Sequence, residues 1–274
     1  MQIKIGLIAG GGQFPLLFAR KAAQKGVQVV AAGFVSETDV RLADEVAAFQ
    51  WQHLGQVNRL VKYFKSHGIH QAVMLGTIRK TSIFKDIRPD FKALAFILKT
   101  GRSHDNTILT SFADLMQTQG IEIRPSTFLL PDLLSPAGCW TRRSMDRSEQ
   151  QDAFLGWKLA KAVGELDIGQ CVVISNGTVL AVEAIDGTDA TIQRGGNLSK
   201  GNGCVVVKLS KPQQDLRFDL PASGCDTIRT MAAAGASVLV LEAGKSLAFD
   251  REQMIALADA HRIAITALTD ADIP

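Results

Sequence analysis

The chain has 274 residues, of which 46% are hydrophobic and 21% charged, and its net charge is only +3. That length supports two domains of ordinary size, each burying its own core, and the composition is that of a soluble globular protein. The small charge excludes a general nucleic-acid binder, which needs a strong basic excess, and no apolar run reaches the roughly 18 residues of a membrane span.

In chain order, Ile3 to Ala9 reads as a buried strand that ends in Gly10-Gly11-Gly12-Gln13. A helix from about Phe14 to Lys25 follows, with Pro15 suited to its first turn. Glycines ahead of a helix N-terminus let backbone N–H groups approach an anion, so a phosphate ligand is expected here. The bland alternative is a tight strand-to-helix turn with no ligand. The dinucleotide form Gly-x-Gly-x-x-Gly fails because Pro15 takes its third place. The next strand, Val27 to Phe34, carries no carboxylate at its end; the first to follow are Glu37 and Asp39. A helix near Gly55 to His67 and a strand Ala72 to Leu75 complete a parallel βαβ pattern.

After Leu75-Gly76-Thr77 the chain turns basic: seven Lys or Arg lie between Arg79 and Arg102, interleaved with Phe84, Ile87, Phe91, Leu94, Phe96, Ile97 and Leu98. Such mixing suits a helix lying on lipid headgroups or gripping an acylated phosphate; the alternative that sequence alone favours is a core helix with a solvated basic face. Ser111 to Gln119 reads as a helix and Ile121 to Arg124 as a strand; Pro125, Pro131 and Pro136 then mark a boundary. The expected domains are therefore 1–134 and 135–274.

The second half opens with Ser148-Glu149-Gln150-Gln151, read as a capping-box helix start. Asn176-Gly177 between two apolar runs is a hairpin signal. Strands at Gly203 to Leu209, Ser237 to Leu241 and Ile263 to Leu268, with a helix from Arg251 to His261, give a mixed α/β domain. Glu183, Asp186 and Asp189 lie beyond the hairpin, with Arg194 before a flexible Gly195-Gly196. Glu242 ends a strand, where α/β sheets place functional groups. The densest polar cluster runs from Lys208 to Gly224. If Leu216 to Leu220 is extended, Asp215, Arg217 and Asp219 share one face, which could hold Mg²⁺ against a phosphate; a loop of solvated charges is the even alternative. The four cysteines, Cys139, Cys171, Cys204 and Cys225, lack metal-ligand spacing and read as reduced thiols; His53, His67, His70, His104 and His261 are scattered. The opening Met1-Gln2-Ile3-Lys4-Ile5 has no charged leader with a cleavage site, so a cytoplasmic location is expected.

Four stretches taken together, Gly6 to Pro15, Leu75 to Lys80, Glu183 to Asp189 and Asp215 to Pro221, resemble the LpxI family of UDP-2,3-diacylglucosamine pyrophosphatases nearly end to end. The resemblance implies that 1–134 is a Rossmann-like, substrate-binding domain and that 135–274 is a distinct α/β catalytic domain. It implies Mg²⁺-dependent hydrolysis to UMP and 2,3-diacylglucosamine 1-phosphate (lipid X) in lipid A synthesis. Carried onto this chain, Asp219 and Asp215 become the catalytic and metal-binding acids. Gly10, Gly11, Gly12, Gln13, Thr77, Lys80, Asp105, Glu183, Asp189, Lys208 and Arg217 become substrate contacts. Where family members have a Gly-Asp-Asp-like stretch, Ser103-His104-Asp105-Asn106 stands, and only Asp105 is kept. The implied partner is an acylated UDP-sugar; peripheral contact with the inner membrane and a homo-oligomer are compatible with it. Two other classes remain open: a non-catalytic carrier of an acylated sugar phosphate, and a nicotinamide-dependent oxidoreductase.

Overall fold

The structure, a computed structural model, describes residues 3–78, 90, 105–215, 217, 218 and 220–274, with side chains in the third helix from Ile108 onward. The chain divides into two compact units. One comprises Met1–Pro131 with Asp215–Asp219, the other Asp132–Gln214 with Leu220–Pro274.

The first unit is a doubly wound α/β sheet. Its strands are β1 (Lys4–Ala9), β2 (Gln28–Phe34), β3 (Ala48–Gln52), β4 (Gln71–Leu75) and β5 (Glu122–Ile123), all parallel, in the order β3-β2-β1-β4-β5. Helices α1 (Phe14–Gln24), α2 (Val57–Ser66) and α3 (Asp105–Thr118) connect them. Central strands buried on both faces must be apolar throughout, and β1 is buried from Ile5 to Ala9. Ile8, Val30, Ala32 and Ala72 meet Val57, Leu60, Val61 and Phe64 of α2 and Ala113 and Met116 of α3 on one face. Strand β3 escapes the periodicity of the sequence because Gln50 and Gln52 stand where a core face would be apolar. Its register along β2, from Val30↔Ala48 to Phe34↔Gln52, is a tertiary pairing.

The second unit is built on a mixed six-stranded sheet in the order β6-β13-β11-β9-β7-β8. These strands are β6 (Gly138–Cys139), β7 (Cys171–Ser175), β8 (Thr178–Val182), β9 (Val205–Lys208), β11 (Val238–Glu242) and β13 (Ala264–Leu268); β10 (Ala222–Ser223) and β12 (Leu247–Ala248) form a separate parallel pair. Helix α4 (Arg147–Glu165) covers one face through Ala153, Trp157 and Ala160. Helices α5 (Thr188–Ser199), α6 (Cys225–Ala234) and α7 (Arg251–Ala260) cover the other, bringing Ile192, Ile228, Met231 and Met254 onto Val173, Val206, Leu239 and Ile265. The expected hairpin is present: Asn176 and Gly177 both have positive φ, 49° and 73°, as its tight turn requires. Buried Asp152 of α4 accepts hydrogen bonds from both of their N–H groups, at 2.8 and 2.7 Å.

Two local expectations are corrected. The capping box of α4 begins at Asp146, whose side chain accepts from Glu149 N–H while Glu149 returns a bond to Asp146 N–H, so Ser148 lies inside the helix. Gly195-Gly196 is not a flexible link but a buried part of α5. A Cβ on Gly195 would stand 2.5 Å from Val173 Cγ1, and one on Gly196 would stand 2.1 Å from the Ala234 carbonyl oxygen. Close packing onto β7 and α6 therefore excludes any side chain at either position.

Candidate active site at the strand ends

In the first unit the chain leaves β1 toward β2 on one side, while β4 lies on the other. The carboxyl ends of β1 and β4 thus flank the point where strand order reverses, the usual ligand crevice of an open parallel sheet. Gly10 to Gln13 and Gly76-Thr77 meet here. Gly10 N–H donates to the Leu75 carbonyl at 2.8 Å, and Gly11 and Thr77 exchange two backbone bonds of 2.7 and 3.1 Å. These two glycines are buried, and their N–H groups already hold the two strand ends together. A Cβ on Gly10 would meet the Thr77 carbonyl oxygen at 2.6 Å, so the absence of a side chain is demanded by backbone packing. Gly12 differs: it is exposed, has φ +87°, and a Cβ there would meet nothing within 4 Å. Gln13, also exposed, is the N-cap of α1 and gives no side-chain cap, and the first turn carries Pro15 and no acid. The part of the loop open to an anion is therefore Gly12-Gln13 at the helix N-terminus.

The turn after β2 reaches the same crevice. Buried Thr38 donates its hydroxyl to the Ala9 carbonyl at 2.6 Å and accepts from Phe34 N–H at 2.8 Å. Thr38 N–H and Glu37 N–H both bond back to the Phe34 carbonyl, with Ser36 at φ +67°. The turn folds Glu37 over the glycine loop, its carbonyl oxygen 3.0 Å and its carboxylate Oε2 3.7 Å from the position of a Cβ on Gly11. Sequence spacing put this acid too far beyond β2 to matter; the signal available was Thr38, a hydroxyl able to turn the chain back. Asp39 is taken up elsewhere. A forked side-chain bond from Arg41 holds its carboxyl down at about 2.

The segment carrying Asp215 belongs to the first unit, although Gln214 and Leu220 beside it belong to the second. The expectation of an extended strand is corrected: Arg217 and Phe218 form a turn closed by Phe218 N–H on the Asp215 carbonyl at 3.1 Å. Asp215 does not share an open face with Arg217. It accepts from Arg217 N–H and is gripped by the Arg217 guanidinium, because an acid two residues ahead of an arginine in a turn can bond both. Burial pushes the Asp215 carboxyl up, but the Arg217 bonds and one with Thr110 outweigh it and leave it below its ordinary value. Arg217 lies over the Phe218 ring at 4.9 Å, and Phe218 packs on the core shared by α2 and α3. Among the described residues no three His, Cys, Asp or Glu side chains gather to hold a metal ion. Asp215, one of the two acids expected to hold Mg²⁺, is occupied by arginine. Lys80, Asp219 and the basic segment apart from Asp90 lie outside the described residues, as does the side chain of Asp105, the first residue of α3.

In the second unit Lys208, Glu183, Asp186 and Glu242 are occupied within the fold. Lys208, at the end of β9, is buried and donates to the Ala222 carbonyl at 2.7 Å. Glu183 is buried as well, accepting from Gln170 N–H at 3.1 Å and the Thr188 hydroxyl at 2.8 Å. Asp189 is exposed in the first turn of α5, and Asp186 pairs with Arg194. Glu242 is held by Lys161 at 2.7 Å, Lys245 at 2.9 Å and Ser210 N–H at 3.0 Å.

A family model described as the LpxI N-terminal domain matches residues 4–133, and one described as the LpxI C-terminal domain matches residues 136–266. The chain belongs to the LpxI family. The LpxI protein of Caulobacter vibrioides, named UDP-2,3-diacylglucosamine pyrophosphatase, is 32% identical over 266 residues, covering 93% of this chain and 94% of its own length. Two solved structures give partial likenesses. A UDP-glucose-4-epimerase of Stenotrophomonas maltophila is 13% identical over 43% of this chain and 34% of its own, with a TM-score of 0.30. A biotin carboxylase of Campylobacter jejuni is 10% identical over 73% of this chain and 43% of its own, with a TM-score of 0.29. Among the described residues of this LpxI member, no helix is long and apolar enough to cross a membrane.

Proposed function

We propose that this chain hydrolyses the pyrophosphate bond of UDP-2,3-diacylglucosamine to UMP and 2,3-diacylglucosamine 1-phosphate, with Mg²⁺, in lipid A synthesis. The observation that carries the reading is membership of the LpxI family through both domains, together with the name of the Caulobacter relative. The exposed Gly12-Gln13 backbone at the start of α1 is the place for a substrate phosphate, since a helix N-terminus and its dipole favour negative charge. Asp215, locked to Arg217, shapes the turn that leads into residue 219, and we assign the essential acid to Asp219. Bound Mg²⁺ would offset charge on the phosphates and lower the cost of forming hydroxide from water. The enzyme would work on the cytoplasmic side, where an acylated substrate brings it against the inner membrane; a homo-oligomer is part of the same proposal.

The test is UMP release from UDP-2,3-diacylglucosamine by wild type and Asp219→Ala, each with Mg²⁺ and with EDTA, with circular dichroism as a folding control. Metal-dependent release that falls by orders of magnitude in the folded variant is the expected result. Release that survives both EDTA and the substitution refutes the acid and the metal. No release by wild type with any divalent metal refutes the hydrolase and leaves a carrier of the acylated sugar nucleotide.

A further inference from the structure

We infer that a cleft on the outer edge of the first unit, between β3 and α2, binds a soluble, hydrophilic phosphate monoester of about the size of a sugar phosphate. The cleft measures about 700 Å³ and runs beside α2 from its first turn to its last, with Gln50 of β3 on its strand side. Strand β3 ends the order β3-β2-β1, so at roughly 4.8 Å per strand it stands about 10 Å from β1 and the reversal point beyond it. The cleft is thus a second place for an anion, apart from Gly12-Gln13.

What the cleft accepts follows from the donors that line it. Arg59 and Lys62, one turn apart on α2, have no ion pair among the described residues. Like charges at that spacing repel one another unless an anion joins them. Tyr63 Oη and Gln50 Nε2 are buried and hydrogen-bond to nothing among the described residues. Burial also pushes the Tyr63 phenol up, so its hydroxyl keeps the proton and remains a donor. A buried donor without an acceptor is costly to the fold, and the terminal amide torsion of glutamine is soft enough to turn Gln50 toward an acceptor in the cleft. Gln50 stands where the core-facing side of a strand is ordinarily apolar, and a polar ligand supplies the reason. Asp90 is the one acid among the described lining residues. It accepts from Asn58 N–H at 2.5 Å in the first turn of α2, and the two cations outnumber it. Four donors, two of them cationic, on both sides of one cleft suit the three terminal oxygens of a phosphate monoester better than the two of a carboxylate. No described lining residue is aliphatic, so an acyl chain gains nothing there, and the volume leaves room for a polar body joined to the phosphate. Held between helix and strand, such a ligand ties the edge strand β3 to α2.

Tyr63 is the single tyrosine of the chain, which gives the cleft a signal of its own. Protein carrying isotope-labelled tyrosine is titrated with glucose 1-phosphate, inorganic phosphate and glucose while the Tyr63 ring resonances are followed by NMR, with calorimetry for Kd. Arg59→Gln and Lys62→Gln are compared with Lys65→Gln, which removes the same charge from the same helix outside the cleft. The expected result is a saturable Tyr63 shift at one ligand per chain with glucose 1-phosphate, a weaker one with inorganic phosphate and none with glucose. Arg59→Gln and Lys62→Gln should each raise Kd about 10- to 100-fold, as loss of a hydrogen bond from a charged group does, and Lys65→Gln by less than about 3-fold. No Tyr63 shift with either phosphate, or a shift that both cation variants leave unchanged or that Lys65→Gln weakens as much, overturns the inference. Heat of binding without a Tyr63 shift places the phosphate elsewhere and overturns it too. A Tyr63 response to phosphatidylglycerol vesicles but not to phosphatidylcholine vesicles or the soluble phosphates overturns it in favour of a lipid surface. The wild-type titrations decide the matter even should a variant misfold, and no readout involves turnover.

Discussion

Gly10→Ala is expected to damage the crevice from within, while Gly12→Ala, two residues on, leaves the fold nearly intact. The added methyl at Gly10 would sit 2.6 Å from the Thr77 carbonyl oxygen and 3.0 Å from the Gly76 carbonyl carbon, both backbone atoms that no rotamer change can move. Relief requires the ends of β1 and β4 to part. Parting them strains or breaks the Gly10–Leu75 bond and the two bonds between Gly11 and Thr77, of 2.8, 2.7 and 3.1 Å. At about 1 kcal/mol net for each hydrogen bond, the loss is about 3 kcal/mol, near the upper end of what overpacking usually costs. For Gly12 the space is open and the penalty is that of an L residue at φ +87°, about 1–2 kcal/mol. The assay is urea unfolding followed by Trp51, which lies in the first unit, in a background where Trp140 and Trp157 of the second are replaced by Phe. A Gly10→Ala protein as stable as Gly12→Ala would refute the claim that Gly10 is a packing glycine. Gly12→Ala should instead raise KM for substrate, because a side chain there stands between the backbone and the ligand.

Other expectations concern the second unit and the thiols. Glu242→Gln removes the charge that faces Lys161 and Lys245 inside the sheet end, and should cost about 2–4 kcal/mol in chemical unfolding. Lys245→Met should cost under about 1 kcal/mol, because the Lys245 side chain is 44% exposed and screened by water. Equal losses for the two variants would show that burial does not set the strength of this network. Thiol titration of the native protein near pH 8 should label Cys139, which is exposed, first. Cys204 should stay unlabelled until unfolding, since burial pushes its thiol up to about 11, and so should Cys171, pushed up further by burial and by nearby Glu183. Labelling of Cys171 at the rate of Cys139 would contradict the packed core around it.

Apolar runs, turn residues and spacing carried much of this molecule into view without coordinates. Strands β1, β2, β4, β7, β8, β9, β11 and β13 follow from local runs of Val, Ile, Leu and Ala, and the Asn176-Gly177 turn from two residues that accept positive φ. These signals are local, so a linear reading finds them. The family resemblance rests on the same footing, since it compares residues along the chain. What escaped depends on contacts between residues far apart. Strand β3 exists because β2 offers it an edge, and Gly195-Gly196 lie in a helix because Val173 and Ala234 press on them. Lys208, Glu183 and Glu242 look like site residues in one dimension, yet carbonyls, amides, a hydroxyl and lysines of the fold occupy them. Spacing put Asp215 on an open face, whereas a turn gave it to Arg217. Glu37, three residues beyond its strand in the chain, is returned to the glycine loop by one buried hydroxyl bond. A charged side chain is available for chemistry only if the folded chain leaves its partners elsewhere, and that accounting closes in three dimensions.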